Sequence, residues 1–262
     1  LKTVTVQNAR FGVNDVGAGS PVLLVHGFPL NHTMWQSQID HLARSHRVIA
    51  PDLRGFGASE VTAGEVSMTQ HADDLNGILD ALEVDQPVSF CGLSMGGYIA
   101  WEFLRRYPQR VGRLVLCDTR AVADTPEAIQ GRHALAELLL EQGAVAAVSA
   151  MVPKLLSAET REHRPEIVLK LQTMIQETDP EGMAASLRGM AHRRAATDLL
   201  EQIELPTLLV VGEFDTLSSP EEMREMAASI RDSRFELIPD AGHMSPMENA
   251  EAVNLVLLEF LA

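Results

Sequence analysis

Gly92-Leu93-Ser94-Met95-Gly96 places a serine between two glycines one residue removed on each side, where an apolar run ending at Cys91 gives way to a helical pattern. At a strand-to-helix junction this spacing is a device for nucleophilic catalysis. The serine backbone turns sharply, its hydroxyl rises above the sheet edge, and positions 92 and 96 must be small to let neighbouring backbone pass. The same turn aims the start of the next helix, with the amide of Met95, at whatever the hydroxyl attacks. An alcohol is a poor nucleophile until a base takes its proton. The chain has nine histidines, of which His41, His46 and His71 fall on or beside helices and read as water-facing. His243, in Asp240-Ala241-Gly242-His243, follows the last strand and opens at the same sheet edge as Ser94. The imidazole needs a carboxylate to fix its tautomer. Asp215, in Gly212-Glu213-Phe214-Asp215, supplies one after an apolar strand, in the chain order serine, aspartate, histidine; Asp118, directly after Cys117, competes for the role. Asp52 reads as structural, paired with Arg54 or the Gly55–Gly57 turn. An oxyanion needs a second donor, and the His26-Gly27-Phe28-Pro29 loop can bring the amide of Phe28 beside that of Met95.

The elements that must hold these groups follow from periodicity. Strands are expected at Lys2–Gln7, Arg10–Val16, Val22–Val25, Arg47–Ala50, Pro87–Cys91, Gly112–Cys117, Pro206–Val211 and Phe235–Ile238. Val22–Val25 and Pro206–Val211 are near-continuous apolar runs, the mark of strands buried on both faces. Helices are expected at Ser67–Glu83, opened by a Ser67/Gln70 capping box, and at Ser94–Tyr107. Two more begin at Ser219-Pro220 and Ser245-Pro246, with proline at the first helical position. Alternation of this kind predicts an α/β protein with a mostly parallel, eight-stranded sheet covered by helices on both faces. Residues 121–200 break the rhythm with helical pattern alone, over Thr125–Gln142, Pro165–Glu177 and Glu181–Arg194, and contain no Phe, Tyr or Trp. The expected organisation is a core of residues 1–120 and 201–262 with a helical lid, 121–200, inserted over the strands' C-terminal edge, where open α/β sheets bind ligands.

Composition narrows the chemistry further. Of 262 residues, 36 are Asp or Glu against 21 Lys or Arg, a formal charge of −15 that repels phosphate backbones and anionic bilayers. Neither a nucleic-acid nor a membrane partner is expected; a small molecule is. Cys91 and Cys117 are too few for a disulfide framework and read as buried thiols. No apolar run is long enough to span a bilayer and Leu1-Lys2-Thr3-Val4 has no signal-peptide character, so a reducing cytoplasm is the expected compartment. Metal-ligand spacings such as H-E-x-x-H are absent, His26 and His32 fit none, no P-loop is present, and no cofactor or metal is called for.

Taken together, His26–Pro29, Asp52–Ser59, the Gly92–Gly97 elbow, Gly212–Asp215 and Gly242-His243 resemble the α/β-hydrolases over nearly the whole chain. The branch they are similar to holds 3-oxoadipate enol-lactonases, small carboxylesterases, cofactor-free haloperoxidases and acyl-homoserine lactonases. The resemblance implies Ser94 as nucleophile, Asp215 as acid, His243 as base, and the Phe28 and Met95 amides as oxyanion donors. It implies a serine hydrolase that cleaves a small ester or lactone through an acyl-enzyme. A ligand-binding or signalling protein with the same triad is the competing class, and carbon–carbon bond hydrolysis or perhydrolysis is another. Neutral esters or lactones are the default substrate. An anionic lactone would need a cationic clamp, for which Arg188 and His192, four apart on one helical face beside Arg193 and Arg194, are the candidates.

Overall fold

The apolar runs become the strands of one sheet in the computed structural model, which describes residues 1–262. They are β1 (Lys2–Val6), β2 (Ala9–Gly17), β3 (Pro21–Val25), β4 (Arg47–Pro51), β5 (Val88–Leu93), β6 (Val111–Cys117), β7 (Thr207–Gly212) and β8 (Ser233–Ile238). Their order is β1-β2-β4-β3-β5-β6-β7-β8. β2 pairs antiparallel with β1 and β4, and every other pairing is parallel. Every residue of β3, β5 and β7 is buried, because helices cover both faces of a parallel sheet. The outermost strand β8 is only partly covered and carries Arg234 and Glu236, with Arg234 bonded to Glu236 at 2.6 Å and to Glu259 at 2.9 Å.

Eleven helices accompany the sheet: α1 (Gln36–Leu42), α2 (Met68–Ala81), α3 (Met95–Arg106), α4 (Pro126–Gln142), α5 (Val145–Leu155), α6 (Ala158–His163), α7 (Pro165–Glu177), α8 (Pro180–Ala191), α9 (Pro220–Ala228), α10 (Ser245–Glu248) and α11 (Ala250–Leu261). Ser67 caps α2 by accepting the Gln70 amide at 3.1 Å, but the Gln70 side chain bonds Asp74 instead of closing a reciprocal box. Ser245-Pro246 opens a single turn; Asn249 then caps α11 by accepting from the Ala252 amide, so the expected last helix is two. α1, α5 and α6 add to the helices whose ranges were expected.

Between β6 and β7 the chain makes only helices, α4 to α8. They are not an appendage. Ala136, Leu139, Leu155, Leu171, Ile175 and Leu187 belong to the same cluster of buried apolar side chains as the sheet. Cys91 and Cys117 sit diagonally across the β5–β6 pairing as free, buried thiols. The hydrogen bond with Cys91, together with burial, holds the Cys117 thiol well above its ordinary value. No helix is long and apolar enough to cross a membrane.

Candidate active site

Ser94 joins β5 to α3 with φ 54° and ψ −111°, a conformation that L-residues rarely adopt. The surroundings hold it there: its amide donates to Cys117 O at 2.9 Å and its carbonyl accepts from Thr119 Oγ1 at 2.8 Å. The flanking glycines are sterically required. A Cβ at 92 would lie 2.4 Å from Gly96 O, and one at 96 would lie 2.4 Å from Val25 O. The Ser94 hydroxyl is 2.9 Å from His243 Nε2, and His243 Nδ1 is 2.8 Å from Asp215 Oδ2. Asp215 is further held by Ser218 Oγ, which donates to Oδ2 at 2.6 Å, and by the Leu217 and Ser218 amides on Oδ1. Burial pushes the Asp215 carboxyl upward. The facing His243 ring and these hydrogen bonds outweigh it and leave the carboxyl below its usual range.

Asp118 takes a different part. It is fully buried, accepts from the Gly212 amide at 2.9 Å, and has Ser245 Oγ 2.5 Å from Oδ2. Burial, then the neighbouring negative charge of Asp215, hold its carboxyl well above the ordinary value. It therefore braces the loops after β6 and β7, and the carboxylate touching His243 is that of Asp215.

The loop after β3 passes directly over the elbow, since a Cβ at Gly27 would stand 3.4 Å from Ser94 Cβ. His26 ties this loop down, its Nε2 accepting from the Leu53 amide at 2.9 Å while Nδ1 meets Gly27 O at 3.0 Å. Burial keeps that ring neutral, depressed to about 4. Met95 opens α3, so its amide has no carbonyl one turn back to bond.

Several expected side chains lie elsewhere. His71 is fully buried, not water-facing, and burial lowers it to about 3; His46 is buried too, and His41 half-buried. Asp52 accepts from the His32 and Ala58 amides and from the His32 ring, while Arg54 pairs with Asp74. The clamp does not form. Arg188 bonds Glu137 and Gly64 O, His192 meets Glu65, Arg193 pairs with Asp124 and Arg194 with Glu102. On α8 the residues turned toward the serine are Leu187 and Met190, and Arg188 and His192 share the neighbouring, outward face.

What faces Ser94 and His243 is a cavity of about 350 Å³ lined on one side by Phe28 and Tyr98 and on the other by α4, α5 and α8. Its charged lining is Arg120, Arg132, Lys154 and Asp124, none anticipated from the sequence. Arg132 and Arg193 both spend their charge on Asp124; Arg120 gives only Nε to Glu222. No three His, Cys, Asp or Glu side chains gather to hold a metal ion.

Comparison with known proteins gives this geometry its family. The model of the alpha/beta hydrolase fold matches residues 20–250. The chain belongs to the alpha/beta hydrolase fold family. Within it, a thermophilic esterase from Thermogutta terrifontis, solved with malate bound, superposes with a TM-score of 0.96 at 45% identity, covering 99% of this chain and 96% of that one. 3-Oxoadipate enol-lactonase 2 of Acinetobacter baylyi is 29% identical over 254 residues, 96% of this chain and 93% of the relative. Est816, described as an N-acyl homoserine lactone degrading enzyme, has a TM-score of 0.85 at 27% identity, covering 99% of this chain and all of that one. The alpha/beta hydrolase thus has esterase- and lactonase-named relatives spanning almost its whole length.

Proposed function

We propose that the chain hydrolyses a small carboxylic ester or lactone by way of an acyl-enzyme. The observation that carries this reading is the unbroken hydrogen-bonded line from Ser94 through His243 to Asp215, opening on a cavity. His243 takes the Ser94 proton as Oγ adds to the carbonyl carbon. The amides of Phe28 and Met95 receive the resulting oxyanion. Its collapse breaks the carbon–oxygen bond, and His243 returns the proton to the leaving alcohol, or to the ring-opened hydroxyl of a lactone. Water repeats the sequence on the acyl-enzyme and frees the acid. Residues 121–200 act as a lid that shapes the acyl and alcohol subsites, and the two free thiols suit a reducing cytoplasm.

The cavity's charge favours one kind of substrate. In a chain of net charge −15, the lining holds three cations against one acid, and that acid is already paired by Arg132 and Arg193. Lys154 and the Nη nitrogens of Arg120 remain to meet an anion, which favours an ester or lactone bearing a carboxylate.

The test is a panel of short chromogenic esters and lactones on wild type and Ser94→Ala. The variant should fold normally and lose about 10⁴-fold or more in kcat, with the wild-type pre-steady-state burst abolished. Turnover in Ser94→Ala near the wild-type level would end the serine mechanism. Binding without turnover across the panel would favour a ligand-binding protein.

A further inference from the structure

Glu248, at the end of α10, is 1% exposed and its two carboxyl oxygens are occupied by backbone amides. Oε1 accepts from Gly242 at 2.9 Å and from Met244 at 3.3 Å, the residues on either side of His243. Oε2 accepts at 2.8 Å from Ser157, the residue that caps α6 in the helical segment. One side chain therefore grips the histidine's own loop and a helix boundary ninety-one residues away in sequence. Two further contacts run along the same seam. The Met244 amide also reaches Leu155 O at 3.1 Å, and Arg164 Nη1 donates to the Glu248 carbonyl. The surfaces are close enough that Gly242 cannot carry a side chain without displacement, because a Cβ there would lie 2.6 Å from the Ser157 nitrogen.

On the reading of the site given above, we infer that Glu248 is a positioning residue. It fixes the aim of the His243 ring by holding both neighbouring amides, and it makes the start of α6 part of the base's support. Asp215 sets which tautomer the ring adopts, but contacts at the ring nitrogens do not anchor the backbone from which the ring is hung. The backbone on both sides of His243 supplies that anchorage, and Glu248 holds it at Gly242 and, together with Leu155 O, at Met244. Lys154 and Leu155 line the cavity just before the Leu155–Ser157 seam, so a ligand that presses on them also presses on the mounting of the base.

Glu248→Gln separates this role from plain stabilisation. The amide keeps the shape but has one accepting oxygen, and its NH₂ end must face a backbone N–H. The full chain is assayed on a p-nitrophenyl ester, with folding followed by circular dichroism. The expected result is a folded variant with kcat lowered about 10- to 100-fold and KM within about twofold, since small misplacement of a reacting group costs rate more than binding. The downfield proton resonance of the His243–Asp215 hydrogen bond, expected in wild type, should broaden or vanish in the variant. Gly242→Ala leaves Glu248 in place and wedges the seam; it should move kcat and the resonance in the same direction, and it decides the matter if Glu248→Gln does not fold. A folded variant that only melts earlier, with wild-type kcat and an unchanged resonance, overturns the inference. Ser94→Ala as control keeps the two failures apart: activity surviving in it strikes the serine mechanism, whereas the resonance reports on the brace without any turnover.

Discussion

The loops at the strand ends and the helical segment facing them are built on opposite plans. In the loops the polar groups gathered around Ser94 and His243 are buried and committed: Asp215 accepts four hydrogen bonds, Asp118 serves Gly212 beside Ser245, and His26 joins two loops through one ring. In the helical segment most ion pairs leave at least one partner exposed, as with Arg188 and Glu137 or His192 and Glu65, and Asp124 with Arg132 and Arg193 is the buried exception. Buried, hydrogen-bonded groups are costly to disturb, while exposed ion pairs contribute little each. On the proposed function, chemistry is placed where geometry is over-determined, and the segment proposed to meet variable parts of a substrate is placed where most substitutions are cheap.

Four measurements break or sharpen this contrast. The largest effect belongs to Asp215→Asn, which should lower kcat about 10⁴-fold by losing control of the His243 tautomer. Asp118→Asn, beside it, should cost less than about tenfold; the reverse ranking would exchange their roles. Next comes Lys154→Glu in the segment. It should cut kcat/KM for a carboxylated ester about tenfold, leave an uncharged analogue within about twofold, and lose the distinction in high salt. Equal losses on both substrates would show that the cavity's cations do not read charge.

Stability against pH gives a smaller effect with a defined sign. His26 and His71 are depressed to about 4 and about 3 by burial. Their contribution is present above the unfolded value of about 6.5 and lost as pH falls toward those values, so the melting temperature should drop through that acidic window. His71→Asn should flatten part of the drop. Asp118 is raised, so its contribution is fully present below the unfolded value of about 3.9 and lost as pH climbs through its folded value. Asp118→Asn should remove that loss. The smallest expected effect is Arg188→Ala, within about twofold on either substrate, because Arg188 bonds Glu137 and Gly64 O away from the cavity.

What the sequence makes legible divides along the same line. Ser94, His243 and Asp215 stand out because each lies just past a strand, and the C-terminal ends of parallel strands share an edge whatever the helices do. His71 is buried where a water-facing position was expected, and the sequence does carry the signal: it shares the 3.6-residue stripe of Met68, Ala72, Leu75 and Ile78, all buried. Arg120 and Lys154 left no such trace. Whether a cation on a helix points into a cavity depends on how α4, α5 and α8 pack on one another, and an aromatic-free segment offers no large side chains from which to infer that packing. Glu248 leaves no trace in the sequence beyond its place in the turn opened by Ser245-Pro246, since its partners lie in a loop and in a distant helix cap.

The uncovered flank of β8 bears on how the molecule meets its own kind. A strand left open at a sheet border is a template on which another chain can add by main-chain pairing alone. Here a newcomer would have to lie against a rim where Arg234 holds Glu236 and Glu259 together, and would strip water from three charges before gaining its first pairing. The border strand is thereby kept from seeding a growing stack of sheets, by a guard that the catalytic loops neither share nor require.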